Sequence, residues 1–225
     1  MNNLKVYLVF PLVFFLNIFF SFTALANNVN IGLILQKKYN EIHSISTEYI
    51  QELTNHLSHE TTIRKGKIFI LKKKGTLKIR WETISPEKEI LFVSGDVVWD
   101  YIPGDNIAYK YRLKDVADSR TILDLISGKI NISREFVLSK EDISKGPYKK
   151  YKLIPHRPEP NMVLVYLWIS RENLIHQIEI IDFFGNTNTI TLKNTVINQG
   201  LDPGLFVFRP NKDTQILEGV PGGGQ

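Results

Sequence analysis

Of the five histidines in the 225-residue sequence, only His56 and His59 fall together, in His56-Leu57-Ser58-His59-Glu60. Two imidazoles and a carboxylate are the groups that would hold a divalent cation or move a proton. Their spacing argues against both. In a strand, residues three apart point to opposite faces, so His56 and His59 would not share a metal. The helical zinc-protease spacing is absent as well. His43, His156 and His176 are isolated and read as surface or packing residues. No Gly-x-Ser-x-Gly elbow is present, and nothing raises a scattered Ser-His-Asp set above background. No nucleotide-phosphate loop or dinucleotide fingerprint is present. Glu87 with Glu89, and Glu179 with Asp182, read as strand-end and surface charges. The sequence has no cysteine. That removes thiol catalysis, cysteine metal sites, disulfides and an N-terminal lipid anchor on cysteine. The expectation is a protein that is not an enzyme and needs no cofactor or metal.

The residues left to carry an argument are aromatic. Trp81, Trp99, Trp168, Tyr101, Tyr166, Phe69, Phe92, Phe183, Phe206 and Phe208 lie in or beside strand-like runs. In Thr76–Thr83, Leu77, Ile79 and Trp81 alternate with Lys78, Arg80 and Glu82. Such rings either fill the core of a β protein or line a space for an apolar ligand. The net charge of +5 is spread along the chain, apart from Lys72-Lys73-Lys74. That cluster reads as a solvated basic turn, and no nucleic-acid surface is expected.

Strands must position these rings. One helix is expected over Asn30–His43, with Ile31, Leu35, Tyr39 and Ile42 at helical spacing and Leu33 and Ile34 widening the stripe. Strands are expected over Ile45–Leu57, Ile63–Lys72, Thr76–Thr83, Glu89–Ser94, Val97–Ile102 and Ile107–Arg112. Turn residues join them at Gly75, Pro86, Gly95-Asp96 and Pro103-Gly104-Asp105. A second helix is read at Asp118–Gly128, capped by Asp118 and ended by Gly128, and a weak one at Glu141–Lys145. Strands resume at Arg134–Ser139, Tyr148–Pro155, Met162–Ile169, Ile175–Asp182 and Thr187–Ile197, with a further short one at Leu205–Phe208. Phe183-Phe184-Gly185-Asn186 reads as a hairpin turn. About eleven antiparallel strands tend to curl or close. Helices could then lie across the concave mouth.

The N-terminus reads as a secretory signal peptide over residues 1–26. Lys5 precedes the apolar run Val6–Phe22, and Ala24-Leu25-Ala26 supplies small residues for cleavage. An uncleaved anchor is the competing reading of that run. One domain is expected over 27–220, followed by a disordered tail at 221–225.

In order along the chain, several motifs resemble the LolA family of periplasmic lipoprotein carriers. They are Ser46-Thr47-Glu48-Tyr49-Ile50-Gln51, Gly66-Lys67-Ile68-Phe69, Leu77-Lys78-Ile79-Arg80-Trp81-Glu82 with Pro86, and Ser94 to Pro103. Asp182, Gly185-Asn186, Asn194 and Phe206-Val207-Phe208-Arg209-Pro210 complete the set. The resemblance implies a mainly β (α+β) fold: an incomplete antiparallel β-barrel around an apolar cavity, with an N-terminal helix and a central helical lid. It implies an acyl-chain cavity lined by Leu35, Tyr39, Leu77, Ile79, Trp81, Leu91, Trp99 and Tyr101. The lid would present Ile122, Leu123, Leu125 and Ile126. Where the family has a lid-latching arginine, this chain offers Lys73, a poorer fork of donors. The implied partners are triacylated lipoproteins, an ATP-driven inner-membrane transporter that releases them, and an outer-membrane receptor. The implied carrier is a periplasmic monomer without stable membrane insertion. The alternative is a regulatory protein of the same fold that senses lipid or lipoprotein.

Overall fold

The computed structural model describes residues 30–73, 75–115, 117–139 and 146–220, with the side chains of 117–120 left aside. The expected signal peptide, Lys74, the Glu141–Lys145 helix and the tail at 221–225 lie outside the described residues.

Helix α1 spans Ile31–Asn40. The Asn30 side chain caps it, accepting from the Leu33 backbone N–H at 3.3 Å. Ile31, Leu35 and Tyr39, four residues apart, are buried. Leu33 does not widen that stripe; it stands 64 % exposed on the opposite side. An antiparallel meander follows: β1 (Ser44–Thr54), β2 (Thr61–Lys73), β3 (Thr76–Ser85), β4 (Glu89–Ser94), β5 (Val97–Ile102) and β6 (Ile107–Arg112). β1 stops three residues short of the expected Leu57. The cause is the Asn55 carboxamide, which takes the Leu57 and Ser58 N–H groups at 2.9 and 3.0 Å and turns the chain.

A 3-10 turn leads into α2 (Ala117–Ser127). The helix begins before Asp118, so that residue lies within it rather than capping it. It ends as expected at Gly128, whose φ of +68° continues into Lys129 N–H bonding the Asp124 carbonyl at 2.8 Å. The expected strand start at Arg134 is instead part of α3 (Ile132–Glu135), because Asn131 caps the Arg134 N–H at 3.1 Å.

The second meander comprises β7 (Phe136–Ser139), β8 (Lys149–Pro155), β9 (Leu164–Ile169), β10 (Ile175–Ile181) and β11 (Thr187–Ile197). The expected strand at Leu205–Phe208 is displaced by a 3-10 turn over Pro203–Phe206, where Asp202 accepts from Gly204 N–H at 2.9 Å. An unexpected strand, β12 (Gln215–Glu218), pairs parallel to β6. All strands form one sheet in the order β12-β6-β5-β4-β3-β2-β1-β11-β10-β9-β8-β7. The long β1–β11 pairing, Ile45 opposite Ile197 to Thr54 opposite Thr187, welds the two meanders together. The sheet is open, since β7 and β12 are its two edges.

Candidate functional site

Strand alternation gives this sheet two faces, and the register assigns every ring to one of them. On the inner face, Ile45 and Tyr49 (β1), Ile68 and Ile70 (β2), Ile79 and Trp81 (β3), Val93 (β4) and Val98 (β5) belong to one buried cluster. The second meander adds Leu153, Val165, Leu167, Ile178, Ile190 and Leu192. Leu77 and Leu91 pack against it, half-buried. Gly66 is required here. A Cβ would run into the Glu82 carbonyl and the Tyr49 ring. That ring meets Trp81 edge-on at 5.0 Å, and its hydroxyl bonds the Thr83 hydroxyl at 2.7 Å.

The helices lie on this face. Leu35 and Tyr39 of α1, and Ile122, Leu123, Leu125 and Ile126 of α2, join the same cluster, each at most 4 % exposed. The concave face is therefore filled by the protein's own helix rather than standing empty. The space left between α1, α2 and α3 is about 10 Å³. Apolar surface that the sheet cannot cover alone is covered by α2, which is the arrangement of a closed lid.

Tyr39 joins these parts. Its hydroxyl accepts from Ile175 N–H at 3.1 Å, and burial pushes its pKa up to about 12. Its ring lies directly on Gly128, at the end of α2. Lys72, not Lys73, reaches α1: its Nζ donates to the Tyr39 carbonyl at 2.8 Å. Burial holds the Lys72 ammonium below its usual pKa. Lys73 is exposed at the end of β2. Gly128→Ala would place a methyl group on the Tyr39 ring at a positive φ. We expect a loss of about 2–4 kcal/mol, measured by urea unfolding.

Two cavity candidates belong elsewhere. Trp99 and Tyr101 point to the outer face. The Gly95 turn sets Phe92 opposite Trp99 and Val93 opposite Val98, so the inner positions of β5 are Val98 and Asp100. Trp99, Tyr101 and Phe92 all pack on Phe208, at ring separations of 5.2 to 5.5 Å. The C-terminal segment is strapped there by Arg80, which donates to the Leu205 carbonyl at 3.3 Å and covers Phe92 at 4.9 Å. Tyr166 and Trp168 are also outer, flanking the Lys150 ammonium at 3.8 and 4.5 Å. His56 and His59 sit in the β1–β2 turn rather than in a strand, ring centroids 6.4 Å apart.

Towards the hairpin-turn end, the inner face changes character, and the sequence reading missed this. Asn188, Gln51, Arg64, Thr83, Glu89 and Asp100 succeed one another from β11 to β5. Gln51 donates to Asn188 at 3.0 Å. Arg64 lies opposite Gln51, bonds the Thr83 hydroxyl at 3.4 Å and forms an ion pair with Glu89. Asp100 ends the row, 3 % exposed, and its Oδ1 has no hydrogen-bond partner among the described residues. Burial raises its pKa to about 6, against the pull of Arg64. Burial, and then the charge of Asp100, drive the Tyr111 hydroxyl upward too. A cleft of about 380 Å³ opens at the same end, lined by Leu53, Thr121, Ile122, Met162, Ile180 and Asn188 among others. Beside it the β1–β2 and β10–β11 turns meet, His56 N–H on the Asn186 carboxamide at 2.9 Å, and expose Leu57, Phe183 and Phe184.

Fold and site together define an open β-barrel with an apolar concave face and a helical cover. The chain belongs to the LolA family: the model for "Outer membrane lipoprotein carrier protein LolA" matches residues 40–209. The outer-membrane lipoprotein carrier protein of Methylococcus capsulatus is 29 % identical over 154 residues, covering 68 % of this chain and 71 % of the relative. That of Legionella pneumophila strain Paris is 23 % identical over 187 residues, covering 82 % and 88 %. An uncharacterized conserved protein from Thermus thermophilus shares the fold, with a TM-score of 0.54 at 12 % identity over 83 % of this chain and 96 % of that one.

Proposed function

We propose that this protein is a periplasmic carrier that takes up the acyl chains of lipoproteins and delivers them to the outer membrane. The observation that carries this is the continuous apolar concave face, roofed by α1 and α2, in a member of this family. Each acyl methylene removed from a bilayer costs about 0.8 kcal/mol, so a multiply acylated protein does not leave a membrane unaided. A carrier must supply an equivalent apolar surface. Here the inner residues Leu35, Tyr39, Leu77, Ile79, Trp81 and Leu91 supply it, and the four apolar residues of α2 occupy it when no cargo is present.

Cargo and lid then compete for one surface. Binding requires α2 to leave, and its return helps expel the chains. The cavity therefore holds lipid less tightly than a bare apolar cleft of the same area would. Loading draws on an ATP-driven inner-membrane transporter, and delivery on an outer-membrane receptor. The work is binding and transfer, without bond-making chemistry.

The test uses spheroplasts holding labelled lipoproteins in their inner membrane. Purified Asn27–Gln225 should release labelled lipoprotein into the soluble fraction as a one-to-one complex. No release, beside a control carrier that does release, would sink the proposal. A stable protein partner without any release would favour the sensing role instead.

A further inference from the structure

The polar row across the inner face has no role in sealing an apolar core. Six adjacent strands place polar side chains towards the hairpin-turn end of that face, in a row that steps by one inner position at each end, where Asn188 faces Leu53 and Asp100 faces Leu91. Most are satisfied by one another: Gln51 with Asn188, Tyr49 with Thr83, and Arg64 with Thr83 and Glu89. Asp100 is the exception. It is 3 % exposed and faces inward between Leu91 and Tyr109, and its Oδ1 has no partner among the described residues. An isolated buried carboxylate is costly. Arg64 is already paired with Glu89, so among the described residues the row holds two carboxylates against one cation.

We propose that this row is a head-group site, and that Asp100 receives a cationic amine carried by a two-chain lipid, such as the free α-ammonium of a lipopeptide acylated only through its glyceryl group. This rests on the carrier reading above. The acyl chains would lie on the apolar floor formed by Ile68, Ile79 and Trp81. The head would sit at the row. An N-acylated head has lost its charge and presents one amide N–H. It would gain little from Asp100.

The experiment measures affinity by displacement of a fluorescent fatty-acid probe from Asn27–Gln225 at pH 7.5. Two synthetic ligands share one peptide: a diacylglyceryl-cysteinyl lipopeptide with a free amine, and its N-palmitoylated counterpart. The proteins are the wild type and Asp100→Asn, which keeps the shape and removes the charge. Asp100→Asn should weaken the free-amine ligand about tenfold or more while shifting the N-acylated one by less than about twofold. The N-acylated ligand in the same variant reports on folding and on the apolar floor. Equal effects on both ligands, or none on either, would overturn the head-group site. If neither ligand binds the wild type, the carrier reading itself fails, and the head-group site falls with it.

Discussion

Leu125→Glu should lift the helical lid while leaving the sheet folded, whereas Ile79→Glu should unfold the protein. Both side chains are at most 1 % exposed and belong to one cluster. A carboxylate without a partner at either place costs several kcal/mol. The two differ in what can move. Ile79 lies between Ile70 of β2 and Val93 of β4, in a strand bonded on both sides. With α2 released, its glutamate is still held by the ladder on the apolar floor, flanked by Ile70, Val93, Leu77 and Trp81. Leu125 sits on α2, which is no part of the hydrogen-bonded strand ladder. Releasing α2 hydrates the new charge and leaves the β1–β11 weld and both meanders in place. Circular dichroism should therefore keep its β signal in Leu125→Glu and lose it in Ile79→Glu. A dye that brightens on apolar surface should brighten with Leu125→Glu, because the concave face is then bare. If Leu125→Glu unfolds as completely as Ile79→Glu, α2 is an integral core element and not a lid.

The second large effect is a gain. Asp100 binds its proton more tightly in the folded chain than its ordinary value of 3.8, with a folded value of about 6. A raised carboxyl pKa favours the fold where the group is protonated. Its contribution is fully present below pH 3.8 and is lost as the pH rises through about 6. Two pH units correspond to about 3 kcal/mol. Asp100→Asn, which is never charged, should thus be more stable than the wild type by up to about 3 kcal/mol above pH 7, or about 6–12 °C in melting temperature. The two proteins should converge near pH 4. Other buried groups titrate as well, so the quantity to measure is the difference between variant and wild type at each pH. A constant difference from pH 4 to pH 8 would contradict the assignment. The gain in stability and the proposed loss of the amine ligand come from the same buried carboxylate.

Much of the architecture could be read from local chemistry. β4, β5 and β6 were legible to the residue because Pro86, Gly95 and Gly104 punctuate them. Helix α2 was legible because Ile122, Leu123, Leu125 and Ile126 form a compact apolar stripe before a terminal glycine. What could not be read was the face on which each ring lies. Val97-Val98-Trp99-Asp100-Tyr101 alternates cleanly, and the family resemblance set Trp99 and Tyr101 on the inside. The sheet needed the reverse. α2 already fills the concave side, so β5 offers it a valine and a small carboxylate, and Trp99 and Tyr101 take the roomier outer side under Phe208. Only the pairing of Phe92 with Trp99 reveals this, and pairing is non-local. The polar row was hidden for the same reason. Its members lie between Gln51 and Asn188 in the sequence and become neighbours only across hydrogen-bonded strands. β12 was illegible because it pairs on one side only, and its four residues carry no alternating pattern.

The outermost strands, β7 and β12, are not joined to each other. A closed ring of strands has a circumference fixed by strand number and stagger, and it widens only by breaking a ladder. This sheet is instead a split collar. Its girth can change through small rotations between neighbouring strands, with every rung intact. One interior can then grip cargoes of different bulk, and the seam rather than the wall sets the largest one admitted.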